Sequence, residues 1–177
     1  MVQPGREPDE PGEAVVPMGT VTPDGRSGAV PHSSVRIAAA SQRSLAAAGV
    51  RTVVGGSALL ASLGLTDRVR DWDLLTDTTP ELAQRALAEV GHRYRRLRPS
   101  DVFSSAAAYC FEVNGVSIDL IVQFAINTST GPVPIPATPG ATWRGLTMAR
   151  PHDWALAYAL MGRPEQAGAL TRLIENR

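Results

Sequence analysis

The chain has 177 residues, 44% of them hydrophobic, and a formal net charge of zero. That is enough for one ordinary domain with a sizeable core and too little for two, and it argues against a general polyanion-binding coat. All 17 basic side chains are arginines, which excludes P-loops, Schiff-base enzymes and haloacid-type phosphatases, since each needs a lysine.

Residues 1–33 are rich in proline, glycine and acids and lack apolar periodicity, so they read as a disordered tail ahead of a single domain over 34–177. Ser34–Ala48 carries an Ala-rich helical pattern ended by Gly49. Arg51–Val54 is a short β-branched strand that runs into Gly55-Gly56-Ser57 and an apolar helix over Ala58–Leu63. Asp71–Thr76 reads as the next strand. Thr79-Pro80-Glu81 opens a helix that Gly91 closes. His92–Arg98, polar on both faces, is expected to be an edge strand. Ala107–Val113 and Val116–Phe124 flank Asn114-Gly115, a strong hairpin signal. Thr128–Thr142 reads as a proline-rich loop, and Pro151–Met161 and Pro164–Glu175 as two closing helices. The expected class is α/β with a mixed sheet. The single cysteine, Cys110, excludes an internal disulfide, and no apolar run approaches a membrane span or secretory signal, so a soluble cytoplasmic protein is expected.

Three acids carry the chemistry. In Asp71-Trp72-Asp73 the carboxylates are two apart on a strand, so both project from one face. Crowded carboxylates repel unless a cation lies between them, and an oxygen-only donor set suits magnesium. A two-residue Asn114-Gly115 turn pairs Val113 with Val116 and hence Cys110 with Asp119, putting Asp119 on the face away from Ile118, Leu120 and Val122. Glu112 shares that polar face. Upstream, the turn at Gly55-Gly56-Ser57 presents free N–H groups at a helix start, where an anion is favoured.

The combined pattern (strand, Gly55-Gly56-Ser57, helix, Asp71-x-Asp73 on a strand, then a lone Asp119 on a later strand) resembles the DNA polymerase beta-like nucleotidyltransferase superfamily, minimal type. The likeness covers about Val50–Phe124. The stretch Ala149–Trp154 and the helix leading to Gly162-Arg163 resemble the family's short helical tail. Many relatives carry Arg-x-Thr before the Asp-x-Asp, whereas this chain has Arg68-Val69-Arg70.

The resemblance implies a mixed-sheet nucleotidyltransferase fold with flanking helices, and transfer of a nucleoside monophosphate from a nucleoside triphosphate to an acceptor hydroxyl, releasing pyrophosphate. It further implies two magnesium ions (manganese being an alternative) on Asp71, Asp73 and Asp119, and a nucleotide held by Gly55, Gly56 and Ser57. Arg68, Arg70 and Arg163 are the candidate cations. A non-catalytic, antitoxin-like protein of the same fold is the alternative. A glycosyltransferase would use Asp-x-Asp but would need neither the Gly-Gly-Ser turn nor Asp119.

The acceptor and the oligomeric state are not legible; small molecules, RNA ends and protein side chains are all open. His92–Arg98 is the only basic cluster, and it reads either as an RNA contact with Tyr94 stacking on a base or as an edge strand guarded by charge. Trp154, Tyr158 and Met161 recur at helical spacing and are read as core.

Overall fold

The computed structural model describes residues 30–176. In chain order these form α1 (His32–Ala47), β1 (Val53–Val54), α2 (Gly56–Ser62), β2 (Trp72–Thr76), α3 (Pro80–Glu89), β3 (Tyr94–Arg96), β4 (Ala107–Val113), β5 (Val116–Val122), β6 (Ala125–Thr128), β7 (Gly131–Pro134), β8 (Pro139–Trp143), β9 (Leu146–Ala149), α4 (Pro151–Leu160) and α5 (Pro164–Glu175). Seven strands form one mixed sheet in the order β3-β4-β5-β2-β1-β9-β8, and β6 and β7 form a separate ribbon. The β5–β2 and β1–β9 pairs are parallel and the other neighbours antiparallel.

The domain begins earlier than the sequence suggests. Helix α1 starts at His32, with the Ser34 hydroxyl donating to the Pro31 carbonyl, and Val30 is already part of the core. The rest of the expected N-terminal tail lies outside the described residues.

Local chemistry accounts for most boundaries. Thr79 caps α3 by accepting from the Leu82 N–H, and Pro80 occupies the first turn, where no N–H is needed. Asn114 and Gly115 both have positive φ, as a two-residue hairpin turn requires. The β4–β5 register is the one this turn dictates, Val113 opposite Val116 and Cys110 opposite Asp119. One face of these strands is core: Tyr109, Phe111, Ile118 and Leu120 are at most 2% exposed.

The segment read as a proline-rich loop, Thr128–Thr142, instead holds β7 and all but the last residue of β8. Prolines survive there because no ladder bond is asked of them. Asn127, opposite Pro132, spends its N–H on the Val102 carbonyl, and Ala125, opposite Pro134, accepts from the Ser104 N–H. Strand β8 is the outermost strand of the large sheet. Its hairpin to β9 turns on Arg144-Gly145, with Arg144 at φ 49° and its guanidinium 4.9 Å from the Trp143 ring centre. Arginine is not a residue that announces such a turn.

Strands β1 and β9 share one registered pair, Val54 with Met148, and a side chain continues the ladder. Gln42 of α1, buried, donates to the Thr52 and Thr147 carbonyls at 2.9 and 3.1 Å and accepts from the Thr147 N–H at 2.8 Å. Gln42→Leu would strand all three backbone groups. It is expected to cost about 2–4 kcal/mol, read as a lower urea midpoint with an unchanged denaturant slope.

Candidate active site

Strand β2 supplies the centre. Asp73 lies beside Asp119 of β5 in direct register on neighbouring parallel strands, so their side chains leave the same face. Asp71, exposed, precedes β2 by one residue instead of lying within it. Trp72, between the two acids, is buried on the opposite face, as alternation demands.

The glycine turn is pressed against this acid. The Gly55 N–H donates to the Asp73 carbonyl at 3.0 Å. A Cβ on Gly56 would lie 2.1 Å from the Asp73 carboxylate, and Gly56 has φ +58°. A Cβ on Gly55 would lie 1.9 Å from the ring of Trp154 in α4. Both glycines are therefore required, one by a carboxylate and the other by an indole. Ser57, buried, accepts the Arg70 N–H at 2.9 Å, fixing the chain two residues before Trp72. That bond answers what happens locally where the Arg-x-Thr pattern is absent. The hydroxyl keeps its own proton free to donate.

The charges converge. Asp73 is enclosed by protein although part of its side chain reaches solvent. Burial, then Asp119, then Asp71 push its carboxyl up to about 7, against the opposing pull of Arg163 and Arg70. Asp119 is also raised, first by burial and further by Asp71, while a hydrogen bond from the Cys110 thiol and the charge of Arg95 act the other way. Tyr158, 2% exposed, is pushed up to about 12, by burial first and then by Asp73.

Several sequence expectations are sorted by this geometry. Arg70 and Arg163 act on Asp73. Arg68 is not among the charges acting on either acid, and its exposed backbone N–H donates to the Thr66 hydroxyl. Glu112 is exposed opposite Ser117 and does not act on the acids either. Cys110 packs as expected, its thiol 3.3 Å from the Ser117 hydroxyl and its ionisation opposed by burial and by Asp119.

Tyr158 and Trp154 belong to the core, yet both also border the site, which helical spacing alone does not reveal. The influence of Arg95 on Asp119 likewise goes unread in the sequence. The β3–β4 register carries that signal, setting Arg95 opposite Cys110.

Among the described residues, no three of His, Cys, Asp and Glu form a ready-made metal cage. The donor chemistry nonetheless fits a hard divalent cation. Asp71, Asp73 and Asp119 offer oxygen donors only, Asp71 and Asp119 raise the proton affinity of Asp73 and Asp71 that of Asp119, and a cation placed among them would relieve that repulsion.

Among solved structures, the chain is similar to a protein from Thermotoga maritima whose crystal structure is described as that of a "putative nucleotidyltransferase". The two are 18% identical, the match covers 85% of this chain and 98% of that one, and the TM-score is 0.58. The fold is thus the nucleotidyltransferase fold, a mixed sheet with flanking helices and a helical C-terminal end. No protein-family model matches the chain, and no curated protein does. No helix among the described residues is long and apolar enough to cross a membrane.

The raised carboxyl of Asp73 has a signed consequence. Its folded-state value, about 7, exceeds the ordinary 3.8, so the stability it contributes is complete below about pH 4 and is lost as pH rises through 7. Asp73→Asn removes that loss. In metal-free buffer the variant is expected to match the wild type near pH 4 and exceed it at pH 8 by on the order of 3–4 kcal/mol. Thermal melts across this range check it, and a variant less stable than wild type at pH 8 would contradict it.

Proposed function

We propose that the chain is an enzyme transferring a nucleoside monophosphate from a nucleoside triphosphate to an acceptor hydroxyl. The observation that carries this reading is the juxtaposition of the Gly55-Gly56-Ser57 turn with the Asp73–Asp119 pair: Gly56 touches the carboxylate that would face a bound triphosphate. A phosphate-cradling turn set directly against two crowded acids suits phosphoryl chemistry better than either feature does alone.

In this reading the backbone N–H of Gly56 and the Ser57 hydroxyl bind the β- and γ-phosphates, while Gly55, whose N–H is held by the Asp73 carbonyl, keeps the turn free of a side chain that would block their approach. Arg70 and Arg163, whose charges already act on Asp73, offset negative charge on the phosphates. The acceptor oxygen attacks the α-phosphorus, the bond from that phosphorus to the bridging oxygen breaks, and pyrophosphate departs. The hydroxyl proton passes to Asp119, the carboxylate in direct register beside Asp73. Asp71 and Asp73 would hold two magnesium ions and Asp119 would share one of them. Bound there, the metals would supply charge stabilisation for the entering and leaving oxygens.

The decisive experiment is incubation with α-labelled nucleoside triphosphates, magnesium and a panel of acceptors, following label transfer and pyrophosphate release. Asp119→Asn is expected to lower the rate by at least about a thousandfold, because it removes a ligand and the base together, while leaving the protein folded. Full activity in that variant would remove Asp119 from the mechanism. Pyrophosphate release from no nucleotide with any acceptor would favour a non-catalytic protein of the same fold.

A further inference from the structure

Strand register aligns four side chains across the sheet. Arg95 of β3 is paired with Cys110 of β4, Cys110 with Asp119 of β5, and Asp119 with Asp73 of β2. Residues directly opposed across a sheet point to the same face, so the four form a row from the acid pair to the sheet's edge.

The row lies on accessible surface. The reverse face of β4 and β5 is core, whereas on this face Cys110 and Asp119 are half-buried, and Ser117, Glu112 and Arg95 are exposed. With strands about 4.8 Å apart, the Arg95 backbone lies roughly 10 Å from that of Asp119. Arg95 is close enough for its charge to act on both Asp119 and Cys110.

The basic cluster around Arg95 is divided by strand alternation. Tyr94, 37% exposed, lies on the core side of the strand opposite Phe111, its ring set edge-on against Tyr109 at 5.5 Å, so it does not share the acid face. Arg96 follows it and donates to the Ala106 carbonyl at 3.4 Å. Arg95 alone within β3 points to the acid face. Arg93 and Arg98 are exposed on either side of it. Among the described residues the single ion pair joins Arg150 and Asp153, so none of these arginines has an acidic partner there. Guarding an open edge needs charge but no particular facing, and Arg96 meets that need from the other side.

We infer that this row is the acceptor track of the enzyme and that the acceptor is the 3′ end of a single-stranded nucleic acid. Its terminal hydroxyl sits at Asp119 and a backbone phosphate behind it sits on Arg95. Three exposed arginines along one edge suit several phosphates in succession better than a single one. The inference rests on the nucleotidyl-transfer reading for the hydroxyl, but the binding surface can be tested without it.

The test is fluorescence anisotropy with a short 5′-labelled single-stranded RNA across a salt series, with adenosine monophosphate as competitor. Wild-type affinity is expected to fall steeply with salt. Arg95→Ala should weaken binding about tenfold and flatten the log–log salt slope by about 0.7. Arg36→Ala, an exposed arginine on α1, should change neither. RNA bound equally well by Arg95→Ala overturns the inference, as does adenosine monophosphate bound as tightly as RNA, which would indicate a phosphorylated small molecule. Pyrophosphate release with a non-nucleic acceptor and no RNA binding overturns it too, while leaving nucleotidyl transfer intact. RNA bound through Arg95 but never extended supports the surface and sinks the transfer.

Discussion

The close approach of Gly56 to the Asp73 carboxylate governs the arrangement of everything around it. A side chain at position 56 would occupy the space the carboxylate needs, and one at 55 would collide with Trp154. The turn between β1 and α2 is therefore held between β2 on one side and α4 on the other. Because the Gly55 N–H is bonded to the Asp73 carbonyl and Ser57 accepts from Arg70, neither the turn nor the acid can move without the other. Positioning of this kind comes from packed backbone, and so it is rigid without needing long polar side chains to hold it.

The acids themselves work against the fold. Asp73 and Asp119 both hold their protons more tightly than free aspartates do, for the same leading reason, burial, with repulsion from Asp119 and Asp71 added at Asp73 and from Asp71 at Asp119. Such a cluster is maintained at some expense in stability, a pattern found where a protein must present charge to a substrate or ion. Arg70 and Arg163 relieve Asp73 only partly, and they come from the loop before β2 and from the residue before α5. The large buried cluster beneath the sheet, including Leu74, Ile118 and Leu120, supplies the stabilisation that lets the acids stay crowded.

Legibility in the sequence follows the range of the forces involved. The Asn114-Gly115 turn and its register could be read because two residues decide them, and with them came the face on which Asp119 stands. The Thr79-Pro80 helix start is local for the same reason. The strands between Thr128 and Thr142 could not be read, because whether Pro132 and Pro134 are tolerated depends on where Asn127 and Ala125 send their backbone bonds. That is a tertiary fact.

The site shows the same division. The three acids stood out by type and spacing, but Arg95 and Tyr158 did not, since their relevance arises only when β3 and α4 are docked. The family likeness recognised from the glycine turn and the acids agrees with the fold, which is shared by a structure only 18% identical.

The docking of Trp154 also bears on when the site comes into being during synthesis. Gly55, Asp73 and Asp119 are all made before β6, yet the indole that fixes Gly55 and the arginine beside Asp73 lie in α4 and just beyond it, at positions 154 and 163. A chain emerging from the ribosome can pair β4 with β5 as a local hairpin long before those residues exist. Until α4 arrives, the glycine turn has no wall behind it and Asp73 lacks one of its two cations. A growing chain would thus carry all three acids for some time without an assembled centre, and any activity would switch on only when the helices after β9 close over the sheet.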